Sequence, residues 1–437
     1  MARGLTPVAA ALLLALAAAT AAATATPRLD LPLQVPYVDS VDELPTSFAA
    51  MIVCGGIFVA GLPIDVVIAE DCDQPCNSVN VTADYDEMSV TAIDAATGAY
   101  PFKAIYRGDG LGCTTVDGIT EAELRAQDVG DQSPLPALNA SAPWPLGEAL
   151  AARPPDVDWD TVEAVIDADF RCLRCNTRAV TIAYRGELVY ARYKSGVTKD
   201  TRLIGWSATK SVTSTFVGVL AGEGRLTPEQ RAPVPEWTAE PDDPRAEVTI
   251  ENLLNMASGQ MWREQPGDIA CLFTEADGDC AGWYANLPQE VPPGTRFEYS
   301  TGDTTLLMRT VLQQRGDPEW THFEWPRQKL FKRLSMTSAL IEAQSNGYLL
   351  GGSNGYMTSA DWTRLGLLYA RDGVWVTGER VLPEGWVEYI STPSASNPSY
   401  GGNFWLGEVA GAKFILMAGV RYAARRACRW ERRGMQT

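Results

Sequence analysis

Histidine is nearly missing from this 437-residue chain, whose single imidazole is His322. One histidine excludes histidine-rich metal centres and leaves a serine–histidine–acid triad with one candidate base. Its setting, Glu319-Trp320-Thr321-His322-Phe323-Glu324, is a tryptophan-flanked turn region and not the histidine that follows an acid in an α/β-hydrolase. Gly205-Trp206-Ser207-Ala208-Thr209 also misses that family's elbow, because Thr209 stands where the second glycine belongs. Positive charge is scarce as well: 36 Lys and Arg face 54 Asp and Glu, for a net charge of −18. Such a balance repels phosphate backbones and anionic lipid, so nucleic acid and membrane surfaces are poor candidate partners and a neutral or cationic ligand is expected. Long apolar runs are lacking too. The stretch Val8 to Ala19 is too short to span a bilayer well; with Arg3 before it and Ala23-Thr24-Ala25 after, it predicts a secretory signal over residues 1–25 and a soluble, exported product.

Cysteine, by contrast, is plentiful. Nine are present, and eight fall into local groups: Cys54, Cys72, Cys76 and Cys113; Cys172 and Cys175; Cys271 and Cys280. In an exported chain these predict structural disulfides. Cys172-Leu173-Arg174-Cys175 lacks the flanking strand and helix of a thioredoxin-like motif, and Cys428 is left over. The Cys271–Cys280 interval contains Gly278 and can close on itself, so those two are expected to pair. Asn80-Val81-Thr82 and Asn139-Ala140-Ser141 are glycosylation sequons in a eukaryotic host.

The chemistry-bearing stretch is Leu203-Ile204-Gly205-Trp206-Ser207-Ala208-Thr209-Lys210-Ser211. Val212, Phe216, Val219 and Leu220 continue it at helical spacing, which predicts a buried helix opened by Ser207. Residues three apart on a helix are neighbours, so the Lys210 amine reaches the Ser207 hydroxyl. A lysine desolvated at the head of such a helix loses proton affinity and serves as a base for the serine. None of the other six lysines has a serine three residues before it. Tyr299, ahead of Ser300-Thr301-Gly302-Asp303, is a third candidate: beside an ammonium its phenol is expected to have a lowered pKa and to relay the serine proton. A Ser/Lys/Tyr set calls for no cofactor and no metal.

From Thr26 to about Leu150 the chain is rich in Pro, Asp, Ala and Gly, and short apolar stretches at Met51 to Val53, Val66 to Ile68 and Ala104 to Tyr106 predict strands of an added N-terminal layer. Pro143, Pro145, Pro154 and Pro155 mark a linker and a domain boundary near residue 150. Asp158 is the expected cap of a helix with Val162, Val165, Ile166 and Phe170 on its apolar face. Ala179 to Tyr193 alternates around Arg185-Gly186 and predicts a hairpin. Thr249 is expected to cap a helix that Gly259 stops, and Leu306, Leu307, Thr310 and Val311 predict another. Helix, hairpin and buried helix in that order predict an α+β fold with an antiparallel sheet covered by helices.

Trp206-Ser207-Ala208-Thr209-Lys210-Ser211, Ile250 to Gly259, Pro293-Gly294 through Tyr299-Ser300-Thr301-Gly302-Asp303, Tyr356 to Trp362 and Leu382 to Trp386 together resemble landmarks of the serine β-lactamase and penicillin-binding-protein superfamily. The likeness, over about Arg178 to Gly419, is densest to the branch of class C β-lactamases, esterases, D-amino-acid peptidases and 6-aminohexanoate-dimer hydrolases. It implies a β-lactamase/transpeptidase-like fold with a helical subdomain, and a secreted serine hydrolase acting on an ester, amide or peptide-like substrate. It implies Ser207 as acylated nucleophile, Lys210 as its base and Tyr299 as the acid that protonates the leaving group. A member that keeps the cleft only for binding is the alternative, and predicts ligand binding indifferent to Ser207→Ala.

Three departures stand out. Thr301 occupies the place where the second motif usually ends in Asn. Gln265 follows Trp262-Arg263-Glu264 where nylon-oligomer hydrolases often carry a tyrosine, which counts against oligomer amidase activity. Past Gly419, where relatives supply a third motif and oxyanion donors, residues 421–437 hold six arginines and one glutamate. The expected organisation is a signal peptide over 1–25, a cysteine-containing extension over 26–150, a C-terminally truncated hydrolase domain over 151–420 and an aberrant basic tail over 421–437. Such a form is expected to acylate slowly.

Overall fold

The computed structural model describes residues 44–72, 76–172, 175–239, 242–274, 278–409 and 412–419. The expected signal segment, the basic tail and Cys428 lie outside these residues. Where the chain first becomes describable it is helical: helix α1 (Leu44–Cys54) is buried from Thr46 to Cys54 with no polar face at all. It packs on an antiparallel four-stranded sheet in the order β1 (Val79–Asp84), β2 (Ser89–Asp94), β3 (Phe102–Tyr106), β4 (Cys113–Thr115). The N-terminal expectation is therefore corrected in part. Ala104 to Tyr106 does lie in a strand, but Met51 to Val53 sits within α1, and Val66 to Ile68 lies in the helical turns Ile64–Val67 and Ile68–Cys72. Short apolar runs carry too little periodicity to separate a strand from a helix buried on every side.

The capping residues act as their chemistry dictates. Asp158 accepts from the Thr161 amide to start helix α2 (Trp159–Arg171), and Thr249 forms a capping box with Asn252 at the head of the short helix Ile250–Leu254. Ala179–Tyr184 (β5) and Glu187–Tyr193 (β6) form the expected hairpin, with Ile182 opposite Tyr190 and Ala183 opposite Leu188. Arg185 and Gly186 both take positive φ, 51° and 88°, as in the primed turns whose twist suits a hairpin. Two further antiparallel sheets follow: β7 (Leu203–Ile204), β9 (Gly355–Met357) and β8 (Leu340–Ile341) in that spatial order, and β10 (Tyr400–Gly401), β11 (Phe404–Val409) and β12 (Ala412–Leu416). Helices α3 (Thr209–Gly222) and α4 (Thr301–Gln314) pack on each other, and α5 (Ser359–Ala370) covers β5. The fold is α+β, with antiparallel pairing throughout the named strands.

One apolar cluster runs from Phe48 in α1 through Phe216 in α3 to Phe404 in β11. The extension thus shares the core of the rest of the protein. Burial at this density requires small residues where elements touch: a Cβ on Gly218 of α3 would lie 2.7 Å from the Trp386 indole. The proline-rich stretch before residue 155 is fastened rather than free, because the buried Arg364 donates to the carbonyls of Pro145 and Gly147 while paired with Asp361. Disulfides join Cys54 to Cys113, Cys72 to Cys76, Cys172 to Cys175 and, as expected, Cys271 to Cys280. Among the described residues no helix is long and apolar enough to cross a membrane.

Candidate active site

The chain enters the site along β7. Gly205 lies so close to Trp362 that a Cβ there would come within 2.1 Å of the indole, and its amide donates to the Gly355 carbonyl. Trp206 follows with φ of +46°, a conformation that a bulky residue adopts only when its surroundings impose it. Its ring is stacked on Phe48 of α1 at a centroid distance of 6.1 Å. Ser207 then sits in the 3₁₀ turn Trp206–Ala208 that leads into α3, and Thr209 fixes the entry by donating to the Ser353 carbonyl and accepting from the Gly355 amide. Ser207 remains partly exposed, while α3 is buried from Thr209 through Leu220.

Lys210 is 1% exposed, and its amine is held by three acceptors. It donates to Ser207 Oγ at 3.2 Å, to Thr301 Oγ1 at 2.8 Å and to the Gly352 carbonyl at 2.7 Å. Removal from water lowers its pKa to about 8 against the opposing charge of Glu264. Tyr299 and Thr301 are set by the start of α4, where Ser300 is the N-cap and accepts from the Asp303 amide. The Lys210 ammonium lies over the Tyr299 ring, 5.1 Å from its centroid.

The lowered phenol pKa expected for Tyr299 is corrected. Burial and the Glu264 carboxylate push it above the ordinary tyrosine value, outweighing a hydrogen bond with Ser207. The phenol stays neutral and is suited to give a proton rather than to carry negative charge. His322 takes no place among these contacts. It stacks on Tyr348 at 5.0 Å, and burial together with Arg315 lowers its pKa to about 4.

Several groups at the site were not singled out from the sequence. Glu264 accepts from the Trp262 indole N–H at 2.7 Å, from the Thr301 amide at 2.9 Å and from the Thr301 hydroxyl. Trp405 of β11 stacks on Tyr299 at 5.7 Å and meets Tyr400 edge-on at 5.0 Å, making an aromatic wall beside the phenol. Trp-x-Glu was visible at 262–264 as a motif, but nothing local signalled that its carboxylate meets Thr301; the aromatic wall comes from a hairpin about a hundred residues later. Among the described residues no group of three metal-ligating side chains converges.

Residues 173–367 match the Beta-lactamase family model, a span that holds Ser207, Lys210 and Tyr299. A 6-aminohexanoate-dimer hydrolase of Paenarthrobacter ureafaciens is 27% identical over 319 residues, covering 68% of this chain and 76% of that protein. The structure of a penicillin binding protein from Bacillus halodurans is 19% identical, covers 54% of this chain and 80% of its own, and superposes with a TM-score of 0.41. The chain is thus similar to the Beta-lactamase family over residues 173–367 and to a 6-aminohexanoate-dimer hydrolase over a longer stretch, a likeness that supports a β-lactamase-related hydrolase.

Proposed function

We propose that this protein is an extracytoplasmic serine hydrolase that cleaves an ester or amide through an acyl-enzyme on Ser207, with its hydrolase domain beginning near residue 151. The observation that carries the reading is the buried Lys210 amine within hydrogen-bonding distance of a partly exposed Ser207. With a pKa near 8, roughly a tenth of the amine is neutral at pH 7, enough to accept a proton as the nucleophile attacks.

The steps follow from the geometry. Neutral Lys210 takes the Ser207 proton while Oγ bonds to the substrate carbonyl carbon. The tetrahedral adduct collapses, the bond to the leaving nitrogen or oxygen breaks, and the Tyr299 phenol protonates that atom. The Lys210 ammonium, over the same ring, returns a proton to the phenolate. Water then attacks the acyl ester, with Lys210 again as base, and frees Ser207. The amide-cleaving relative supports the substrate class, and the four disulfides support an oxidising compartment. Incubation with a fluorophosphonate probe followed by peptide mapping tests the reading: label is expected on the Ser207 peptide, and label elsewhere, or label that persists in Ser207→Ala, refutes it.

A further inference from the structure

The Lys210 amine has three neighbours, and they are not equivalent once it loses a proton. As an ammonium it has three N–H donors and three acceptors, Ser207 Oγ, Thr301 Oγ1 and the Gly352 carbonyl. As a neutral amine it keeps two donors and gains a lone pair, which must face a group that can donate. The Gly352 carbonyl can only accept. Ser207 and Thr301 both carry hydroxyls, so either can occupy the lone pair, and only the serine arrangement leads to chemistry.

Glu264 decides between them. The Thr301 hydroxyl donates to Glu264 Oε1, while Oε2 is held by the Thr301 amide at 2.9 Å and the Trp262 indole at 2.7 Å. With its proton committed, Thr301 Oγ1 can only accept from Lys210. We infer that Glu264 is a positioning residue for acylation: by fixing the Thr301 hydroxyl as an acceptor, it leaves Ser207 as the one group that can donate to the Lys210 lone pair. The inference rests on the proposed serine chemistry and extends it beyond the three residues named above.

The charged and titratable surroundings are few. Glu264 and Tyr299 face Lys210, while Asp303, Asp268, Glu298 and Tyr400 face Glu264 in turn. Arg263, Arg296 and Glu290 lie beyond, around Glu298.

Glu264→Gln is the informative substitution. To satisfy Trp262 and the Thr301 amide, the new side chain turns its oxygen toward them, and its NH2 then donates to Thr301 Oγ1. The threonine hydroxyl is driven to donate to Lys210, the competing arrangement. The test measures hydrolysis of a p-nitrophenyl ester against pH. The expected result is a kcat lowered roughly 10- to 100-fold with KM little changed, the scale of a disrupted proton transfer. The acid limb of kcat moves to lower pH, because a negative charge that supports the Lys210 ammonium is gone. A merely structural role would leave that limb in place. Wild-type kcat with an unmoved limb overturns the inference. Should Glu264→Gln not fold, Thr301→Val and Thr301→Ser decide: the valine variant loses activity and the serine variant recovers most of it, whereas a valine variant as active as the parent overturns the inference. Loss of probe labelling in Ser207→Ala separates this outcome from failure of the serine chemistry itself.

Discussion

Phe48, in the first described helix, lies stacked on Trp206, the residue immediately before the candidate nucleophile, with 6.1 Å between ring centroids. Phe48 also meets Phe273 edge-on at 5.1 Å and is 3% exposed. The N-terminal extension therefore backs the turn that presents Ser207. Trp206 holds a positive φ, which persists only where the surroundings over-determine it. Phe48→Ala is expected to cost about 3 kcal/mol of stability and to lower kcat as the turn relaxes. Thermal unfolding together with ester hydrolysis checks both; unchanged kcat in a destabilised variant would show that the stacking serves packing alone.

Under the proposed mechanism, Lys210 gives the activity a definite pH dependence. The base must be neutral, and with a pKa of about 8 its neutral fraction rises about tenfold per unit below pH 7. Acylation measured by burst kinetics should climb from pH 6 to 8 and level off above. Lys210→Arg, which cannot deprotonate, should lose on the order of 10²–10⁴ in rate. A rate that is flat from pH 6 to 8 contradicts lysine as the base.

Glu342 links the extension to the site by a buried carboxyl. It accepts from the Cys113 amide at 2.8 Å and from the Asn354 side chain at 3.1 Å, next to the 352–355 segment that receives Lys210 and Gly205. Burial raises its pKa from 4.5 to about 8. The folded state thus keeps a proton that the unfolded chain has released, so this stabilisation is full below about pH 4.5 and is lost as pH rises through 8. Melting curves from pH 5 to 8 should show the parent losing stability relative to Glu342→Gln as pH rises. Parallel curves for the two proteins would remove Glu342 from the account.

Cys271 and Cys280 are nine residues apart, and Gln344 bridges them by accepting from the Cys280 amide at 2.9 Å and donating to the Cys271 carbonyl at 2.8 Å. Closing so short a loop contributes about 3 kcal/mol in the chain-entropy model. Peptide mapping without reduction should recover the two cysteines in one cross-linked fragment, and Cys271→Ser should unfold at lower temperature. Free thiols at either position in the purified, unreduced protein run against the pairing.

What the sequence disclosed, and what it did not, follows the range of the interactions. Ser207 and Lys210 are one helical turn apart, Thr249 caps through Asn252 three residues on, and Arg185-Gly186 turns a hairpin by itself; each is a local rule. Tyr299 was placed by its motif, yet its phenol pKa moved opposite to expectation because burial, and after it the charge of Glu264, 35 positions earlier in the chain, raise it. The Thr301–Glu264 contact and the Trp405 wall are tertiary meetings with no spacing to betray them. Helix α1 was hidden for another reason: with every side buried, its apolar run has no period to read.

The central claim is that Ser207 is the acylated nucleophile, and intact-protein mass spectrometry after fluorophosphonate treatment tests it most directly. One adduct is predicted, mapping to Ser207, absent from Ser207→Ala and strongly slowed in Lys210→Arg. An unmodified protein that nevertheless hydrolyses the ester, or an adduct retained by Ser207→Ala, would contradict it.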